Sequence, residues 1–456
     1  MIIKKISLWG AFCIITLNSS LVISWADTGK MPESTSDRYD RLLESGQLDT
    51  IDKLTLQDAL ELSQKYNSDL AAIAWEVRVK EGAALQAGLL PNPELSIEVE
   101  NFGGKDDLNG FDGSETSIGL SQLIELGGKR TKRHHAALLE KDIAQYDIER
   151  KRLEVISETT KAFVDVLAAQ KHLEQARELS NLSDSVFQAV VERVNAGKVS
   201  PVEQTRSSVE RTTALLEVTK AEQGLEKARR SLASQWNGIF PHFKKAIGDL
   251  EAVDELPSLE SLENIIDQSL EVGRWETIQK HRMAELDLAN SMAIPDITAG
   301  LGVRNFQETG DQAFFFNMEL PLPVFNRNQG GRAEAIAMVR KSRFEKEAVR
   351  MEIRSMLASV FQILSSAYAE VTVLRKEGIP AAQTAFESVS TGYREGKFGY
   401  LEVLDSQRTL FGVKGQYQAA LASYHWAKAD MEHLIGRPLD SLKNQIGQPL
   451  TGKPLP

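Results

Sequence analysis

Cysteine is almost missing from this chain of 456 residues, and so are long apolar runs and any basic excess. The one cysteine, Cys13, lies in the N-terminal apolar segment, so the rest of the chain has no thiol for a disulfide, a thiolate metal site or a nucleophile. Beyond residue 26 there is no unbroken run of 18 apolar residues, so no transmembrane helix is expected; a membrane crossing would have to use strands. Lys and Arg number 53 against 64 Asp and Glu, a net charge of −11, which argues against nucleic acid as a partner. Catalytic motifs are equally scarce. There is no phosphate-binding glycine loop and no serine nucleophile elbow. His134 and His135 are neighbours, about 100° apart on a helix, and cannot share a metal from one face. His425 and His433 are eight positions apart without acids at ligand spacing. No enzyme activity, cofactor or metal centre is expected.

Residues 1–26 have the pattern of a secretory signal. Lys4 and Lys5 open it, the stretch from Ile6 to Ile23 is mostly apolar, and Ser24-Trp25-Ala26 is a small-x-small cleavage site. A membrane anchor is the competing reading, against which Asn18, Ser19 and Ser20 interrupt the apolar stretch. Cys13 follows Phe12 in mid-segment and no cysteine comes later, so no lipid anchor is expected. Removal of the signal leaves 51 basic residues against 64 acidic ones, a net of −13.

After a polar segment, 27–53, the chain repeats itself. Asn195 to Glu203 matches Arg394 to Glu402 at an offset of 199, and Pro93-Glu94-Leu95 matches Pro295-Asp296-Ile297 at 202. Leu120-Ser121-Gln122-Leu123 matches Leu320-Pro321-Leu322-Pro323. Two related halves follow, 54–238 and 258–436, with 239–257 as linker (Pro241, Gly248 and Pro257 break any helix there) and 437–456 as a tail. Each half predicts an opening helix (55–88, 258–291), two strands, a very long helix (128–195, 330–393), a glycine-containing turn and a return helix (202–236, 400–435). At 1.5 Å per residue the long helix spans on the order of 100 Å. The return helices have heptad spacing: Leu410, Tyr417, Tyr424 and Met431 in one, and Val218, Leu225 and Leu232 with Ala214, Ala221 and Ala228 in the other.

Four segments, about 93–102, 115–124, 295–306 and 313–322, alternate apolar and polar residues, and polar glycine-containing loops join each pair. Glu94, Glu98, Glu100 and Glu319 fall opposite the apolar face. A small soluble sheet on helices would alternate too. In lipid, four strands cannot close a barrel, and each open edge leaves backbone groups unsatisfied at several kcal/mol apiece. A membrane form must therefore assemble from several copies.

This order of parts resembles the outer-membrane factor (TolC-like) family over residues 54–437. The motifs that carry the likeness are Gly392-Tyr393-x-x-Gly396, followed by Leu401-Glu402-Val403-Leu404-Asp405-Ser406-Gln407-Arg408-Thr409-Leu410. Ile124-Glu125-Leu126-Gly127-Gly128-Lys129-Arg130 and the run from Leu320 to Gly330 resemble the cobalt–zinc–cadmium heavy-metal efflux (CzcC-like) subgroup, with copper exporters nearby. The resemblance implies a mainly α protein with membrane β: a homotrimer with a 12-stranded β-barrel in outer-membrane lipid above an α-helical barrel in the periplasm. Its implied partners are a periplasmic adaptor (membrane fusion) protein and an inner-membrane RND pump.

It also implies sites. Gly197, Lys198 and Val199, with Gly396, Lys397 and Phe398, form two tips that meet the adaptor, although Gly197 and Gly396 can equally be ordinary helix C-caps. Glu402 and Asp405 match acidic positions near a constricted periplasmic entrance, with Tyr393 and Arg394 as closing contacts; a solvated acidic face is the plain alternative. Glu94, Glu98, Glu100 and Glu319 line the barrel lumen. Lys129, Arg130, Lys132 and Arg133 have either lipid headgroups or water as partners. The functional expectation is the outer-membrane channel of a tripartite efflux system for divalent heavy-metal cations. The alternatives are a duct for drugs or type I protein secretion, and a periplasmic coiled-coil adaptor or scaffold.

Overall fold

The computed structural model describes residues 51–443 except 242 and 268. The signal-like segment with Cys13, residues 27–50 and the tail from 444 onward lie outside the described residues. The elements in chain order are β1 (Ile51–Thr55), α1 (Leu56–Tyr66), α2 (Ser68–Ala87), β2 (Glu94–Glu100), β3 (Glu115–Ile124), α3 (Lys129–Asn195) and α4 (Pro201–Ser234). The second series is β4 (Phe243–Ile247), α5 (Leu259–Ile266), α6 (Leu270–Ser291), β5 (Ile297–Phe306), β6 (Gln312–Glu319) and α7 (Gln329–Val373). It closes with a π-turn (Leu374–Gly378), α8 (Ile379–Arg394), α9 (Tyr400–Ile435) and the short α10 (Asp440–Lys443).

Each opening helix is two helices, not one. Asn67 ends α1 in extended conformation, and its side chain accepts from Leu70 N–H to start α2. Its amide also donates to Gln235 O at 2.9 Å, so a tertiary contact holds the break. Ser269 caps α6 in the same way. The second long helix runs from Gln329 to Arg394 through the π-turn. Pro380 lacks the N–H that Lys376 O would need, which explains the widened turn at that point. Among the described residues this helix has one 18-residue window apolar enough to cross a membrane, by length and composition alone. Leu357, Val360, Ile363 and Leu364 with the nearby alanines sustain the hydropathy, while Ser359, Gln362, Ser365 and Ser366 interrupt any unbroken apolar run.

The four strands with alternating residues form one antiparallel sheet in the order β2-β3-β5-β6, so the two halves pair through β3 and β5. The register places Leu95, Leu120, Leu301 and Phe316 in one row, and Ile97, Ile118, Val303 and Phe314 in the next. This apolar face is bare: Leu95 is 69% exposed and Phe314 is 90% exposed. β6 stops at Glu319, earlier than expected, because Pro321 and Pro323 cannot donate to a ladder.

The linker holds an element that the sequence pattern does not reveal. β4 pairs in parallel with β1, bringing Leu54 beside Ala246. Leu54, Phe243 and Ala246 join Phe163, Val166, Leu232 and Trp236 in a core of the first half and the linker, which Ala422 of the second half also enters. The Gln170 amide donates to Ala246 O and accepts from Ala246 N, both at 2.9 Å, and so pairs with β4 as a strand would. A second core gathers Leu262, Leu357, Leu364, Tyr424 and Met431. Tyr424, Met431 and Leu410 are heptad positions of α9, and burying each such side chain contributes about 1.5–3 kcal/mol.

Candidate gate, docking tips and duct lining

The two hairpin tips share one chain geometry. Gly197 has φ +69° and Gly396 φ +81°, in the left-handed region where a Cβ is disfavoured. Lys198 N–H then donates to Arg193 O at 2.9 Å, and Lys397 N–H to Gly392 O at 2.8 Å, which closes each helix end. After the first tip Ser200 caps α4 with Pro201 in its first turn. Lys198, Lys397 and Phe398 are exposed at the tips, and Val199 is half-buried. The Phe398 ring folds onto Gly392, so any Cβ at Gly392 would collide with it.

Of the four expected gate residues, three are exposed. Glu402 and Asp405 sit on the exposed side of α9, away from its buried stripe of Val403, Gln407 and Leu410. Arg394 is exposed and contacts Thr391 Oγ1 at 3.5 Å. Tyr393 requires a correction. It is 5% exposed and packs with Val190, Tyr400 and Val403 inside the protomer, because the helix turn places it on the opposite side from Arg394. Arg193 covers it, with its guanidinium 4.4 Å from the ring centroid and its Nη1 donating to Tyr393 O at 2.7 Å. Burial raises the Tyr393 hydroxyl above its ordinary value. Burial, with the Glu210 carboxylate adding to it, pushes Tyr400 up to about 12.

Three polar contacts that sequence reasoning did not single out tie α9 to the first hairpin. Gln407 Nε2 donates to Ser183 Oγ at 3.2 Å with both side chains buried, Arg408 pairs with Glu210 at 2.8 Å, and Lys414 pairs with Glu178 at 3.1 Å. None is legible in advance, since each joins residues about 200 positions apart.

On the sheet, the register puts Glu94, Glu98, Glu100 and Glu319 on one face, opposite the apolar one. Glu94 and Glu98 are exposed. Glu100 lies 3.7 Å from Arg304, whose guanidinium also pairs with Glu115 at 3.1 Å and donates to Ser117 Oγ at 2.9 Å. Arg304 and Glu115 therefore share that polar face.

The basic cluster after β3 is mostly internal. Lys129 is 5% exposed and pairs with Asp296 at 2.7 Å; Asp296 also accepts from Leu126 N–H. Arg133 forms a two-pronged pair with Glu125 at 2.6 and 3.1 Å and donates to Ala87 O. For these two residues, both headgroup and solvent readings give way to a latch at the foot of the sheet, while Arg130 remains exposed. Among the described residues no three His, Cys, Asp or Glu side chains are placed to hold a metal ion.

Long tandem helical hairpins, joined to one sheet whose apolar face is bare and whose two edges are open among the described residues, define an outer-membrane export channel component. The chain belongs to the outer membrane efflux protein family, whose model matches residues 59–238 and 264–437. It is 33% identical to the cobalt-zinc-cadmium resistance protein CzcC of Cupriavidus metallidurans, over 84% of this chain and 90% of that one. It is 22% identical to the outer membrane protein TolC of Salmonella enteritidis, over 80% of this chain and 79% of that one. The fold matches a crystal structure of CusC, from a study of folding and transmembrane channel formation, with a TM-score of 0.72 at 16% identity over 85% of this chain and 94% of that one.

Proposed function

We propose that three copies of this protein form the outer-membrane exit duct of a tripartite RND-type system that exports divalent heavy-metal cations. The observation that carries the duct is the sheet: its apolar face is exposed, and among the described residues both β2 and β6 are unpaired at their outer edges. In lipid those edges require more strands, and further copies supply them. Exposed Phe344, Met351, Met356 and Ile363 on α7, with Val209 and Leu216 on α4, offer matching apolar surface along the helices.

In this assembly the polar sheet face lines the lumen, where Glu94, Glu98 and Glu319 repeat around the axis and favour cations. The two tips dock on a periplasmic adaptor that connects to an inner-membrane pump. Glu402, Asp405 and Arg394 form the constriction just inside. The metal cargo is supported by the greater likeness to a cobalt-zinc-cadmium resistance protein than to TolC.

Membrane fractionation and heat-dependent gel mobility test the duct. The expected result is a trimer in the outer membrane that dissociates on boiling; a soluble periplasmic protein would refute it. Deletion of the gene tests the cargo. Growth should fail first in zinc, cobalt or cadmium, whereas selective loss of drug tolerance or of a secreted polypeptide would move the duct to the alternative class.

A further inference from the structure

The polar face of the sheet is paved. Its central positions on β3 and β5 are Ser117, Gly119, Gly300 and Gly302, all buried although they belong to an open sheet. What covers them are longer side chains from the same rows: Phe315 over Gly119 and Gly302, Asn317 over Gly300 and Arg304 over Ser117. The register aligns Ser96, Gly119, Gly302 and Phe315 across the four strands. A Cβ on Gly302 would stand 2.5 Å from Phe315 Cζ and 2.7 Å from Cε1, and would also strike Ile118 O. One strand further on, a Cβ on Gly119 would stand 3.1 Å from the same Cζ. Strands are spaced by about 4.8 Å, so a ring rooted on β6 that reaches over β5 to β3 must lie along the wall. The Arg304 guanidinium, fixed by Glu115 and Ser117, backs the ring 5.9 Å from its centroid. On the other face Phe314 and Phe316 have no such cover.

We infer that the side-chain-free Gly119 and Gly302 keep the barrel lumen wide at this level by letting the Phe315 ring lie flat against the wall. This rests on the reading of the polar face as lumen. With one copy of Phe315 in each protomer, side chains at the two glycine positions would lift a ring of aromatic groups into the passage. The glycines thus work as recesses that hold an aromatic collar back from the axis.

The test uses the full-length protein in intact cells. Thr298 lies on the same face as Phe315, four register rows farther from the 307–311 hairpin tip, paired with Glu319. Thr298→Cys is labelled from outside by a small methanethiosulfonate cation and by a bulky maleimide–polyethylene glycol, with the unsubstituted chain as blank. Both reagents should label it when Gly119 is intact. Gly119→Val should reduce bulky labelling about tenfold while sparing the small reagent. Adding Phe315→Ala should restore bulky labelling, and Phe315→Ala alone should leave it unchanged.

Undiminished bulky labelling in Gly119→Val chains that reach the outer membrane in normal amount would overturn the inference. So would increased labelling in Phe315→Ala alone, which would mean that the ring already stands in the passage. If Gly119→Val fails to assemble, Gly119→Ala is the milder variant, since its Cβ meets only side-chain atoms of Ser96 and Phe315, and it must shift labelling in the same direction. Failure of the small reagent to label Thr298→Cys at all would instead refute the lumen reading, and the inference with it.

Discussion

Arg193, beside the tip of the first hairpin, lies across the Tyr393 ring and donates to the Tyr393 carbonyl, adding a polar tie to the apolar packing between the two tips. A cation over an aromatic face contributes about 0.5–2 kcal/mol and a charged hydrogen bond about 1.5–3 kcal/mol. Arg193→Ala should therefore loosen the second tip. Amide exchange over residues 390–397 should quicken by roughly tenfold or more, which is the effect of about 1.4 kcal/mol. Arg193→Lys should recover only part, because an ammonium cannot both stack and donate with the same planar geometry. Unchanged exchange in Arg193→Ala would remove the tie.

Asp405 makes a separate prediction at the entrance. Its exposed carboxylate shares a face with Glu402, and threefold repetition would bring six carboxylates together. Asp405→Ala should raise ion conductance of the reconstituted protein and weaken its preference for cations. If neither changes, the residue does not belong to the gate.

The Lys129–Asp296 pair predicts a loss of stability. Lys129 is nearly fully buried, so Asp296→Ala leaves its charge without a partner at a cost of about 3–5 kcal/mol. The thermal midpoint of the purified protein should fall clearly. Lys129→Met in the same chain should recover most of the loss, a non-additivity that marks a direct pair. Additive losses would point to some other role for each residue.

His425 predicts a pH effect. Burial lowers its pKa below the ordinary 6.5, despite its contact with Leu250 O and the nearby Asp249 and Asp254; Lys428 lowers it further. The folded chain holds this ring neutral while the unfolded chain protonates it at about pH 6.5. Its contribution is thus full above pH 6.5 and diminishes as pH falls toward the folded value. His433 and His281 are lowered by burial in the same sense. Unfolding midpoints measured between pH 7.5 and 5 should decline, and His425→Gln, which keeps a donor without titrating there, should flatten the decline. An equally steep profile in His425→Gln would exclude this histidine as a source.

The sequence carried the large elements because each is strongly periodic. Heptads forecast the return helices, Gly197 and Gly396 the turns, and period-two alternation the sheet faces, down to the side on which Glu94 and Glu319 fall. It failed where the deciding contact was distant. The breaks at Asn67 and Ser269 lie inside continuous apolar periodicity, and Gln235 holds the first. β4 is five residues in a stretch marked by Pro and Gly, visible as a strand only once β1 lies beside it. Tyr393 sits next to Arg394 in a motif but points the other way.

The sequence by itself determined the duplication and the long hairpin helices, since these follow from local spacing. Only the tertiary structure decided which charges are free. Arg304 takes up Glu100 and Glu115, Asp296 takes up Lys129, and Glu125 takes up Arg133, so the charges left exposed are fewer than composition suggests. Such pairings join residues 8 to about 200 positions apart. A charge's energy depends on what stands within a few ångströms of it, and the order of residues along the chain does not contain that distance.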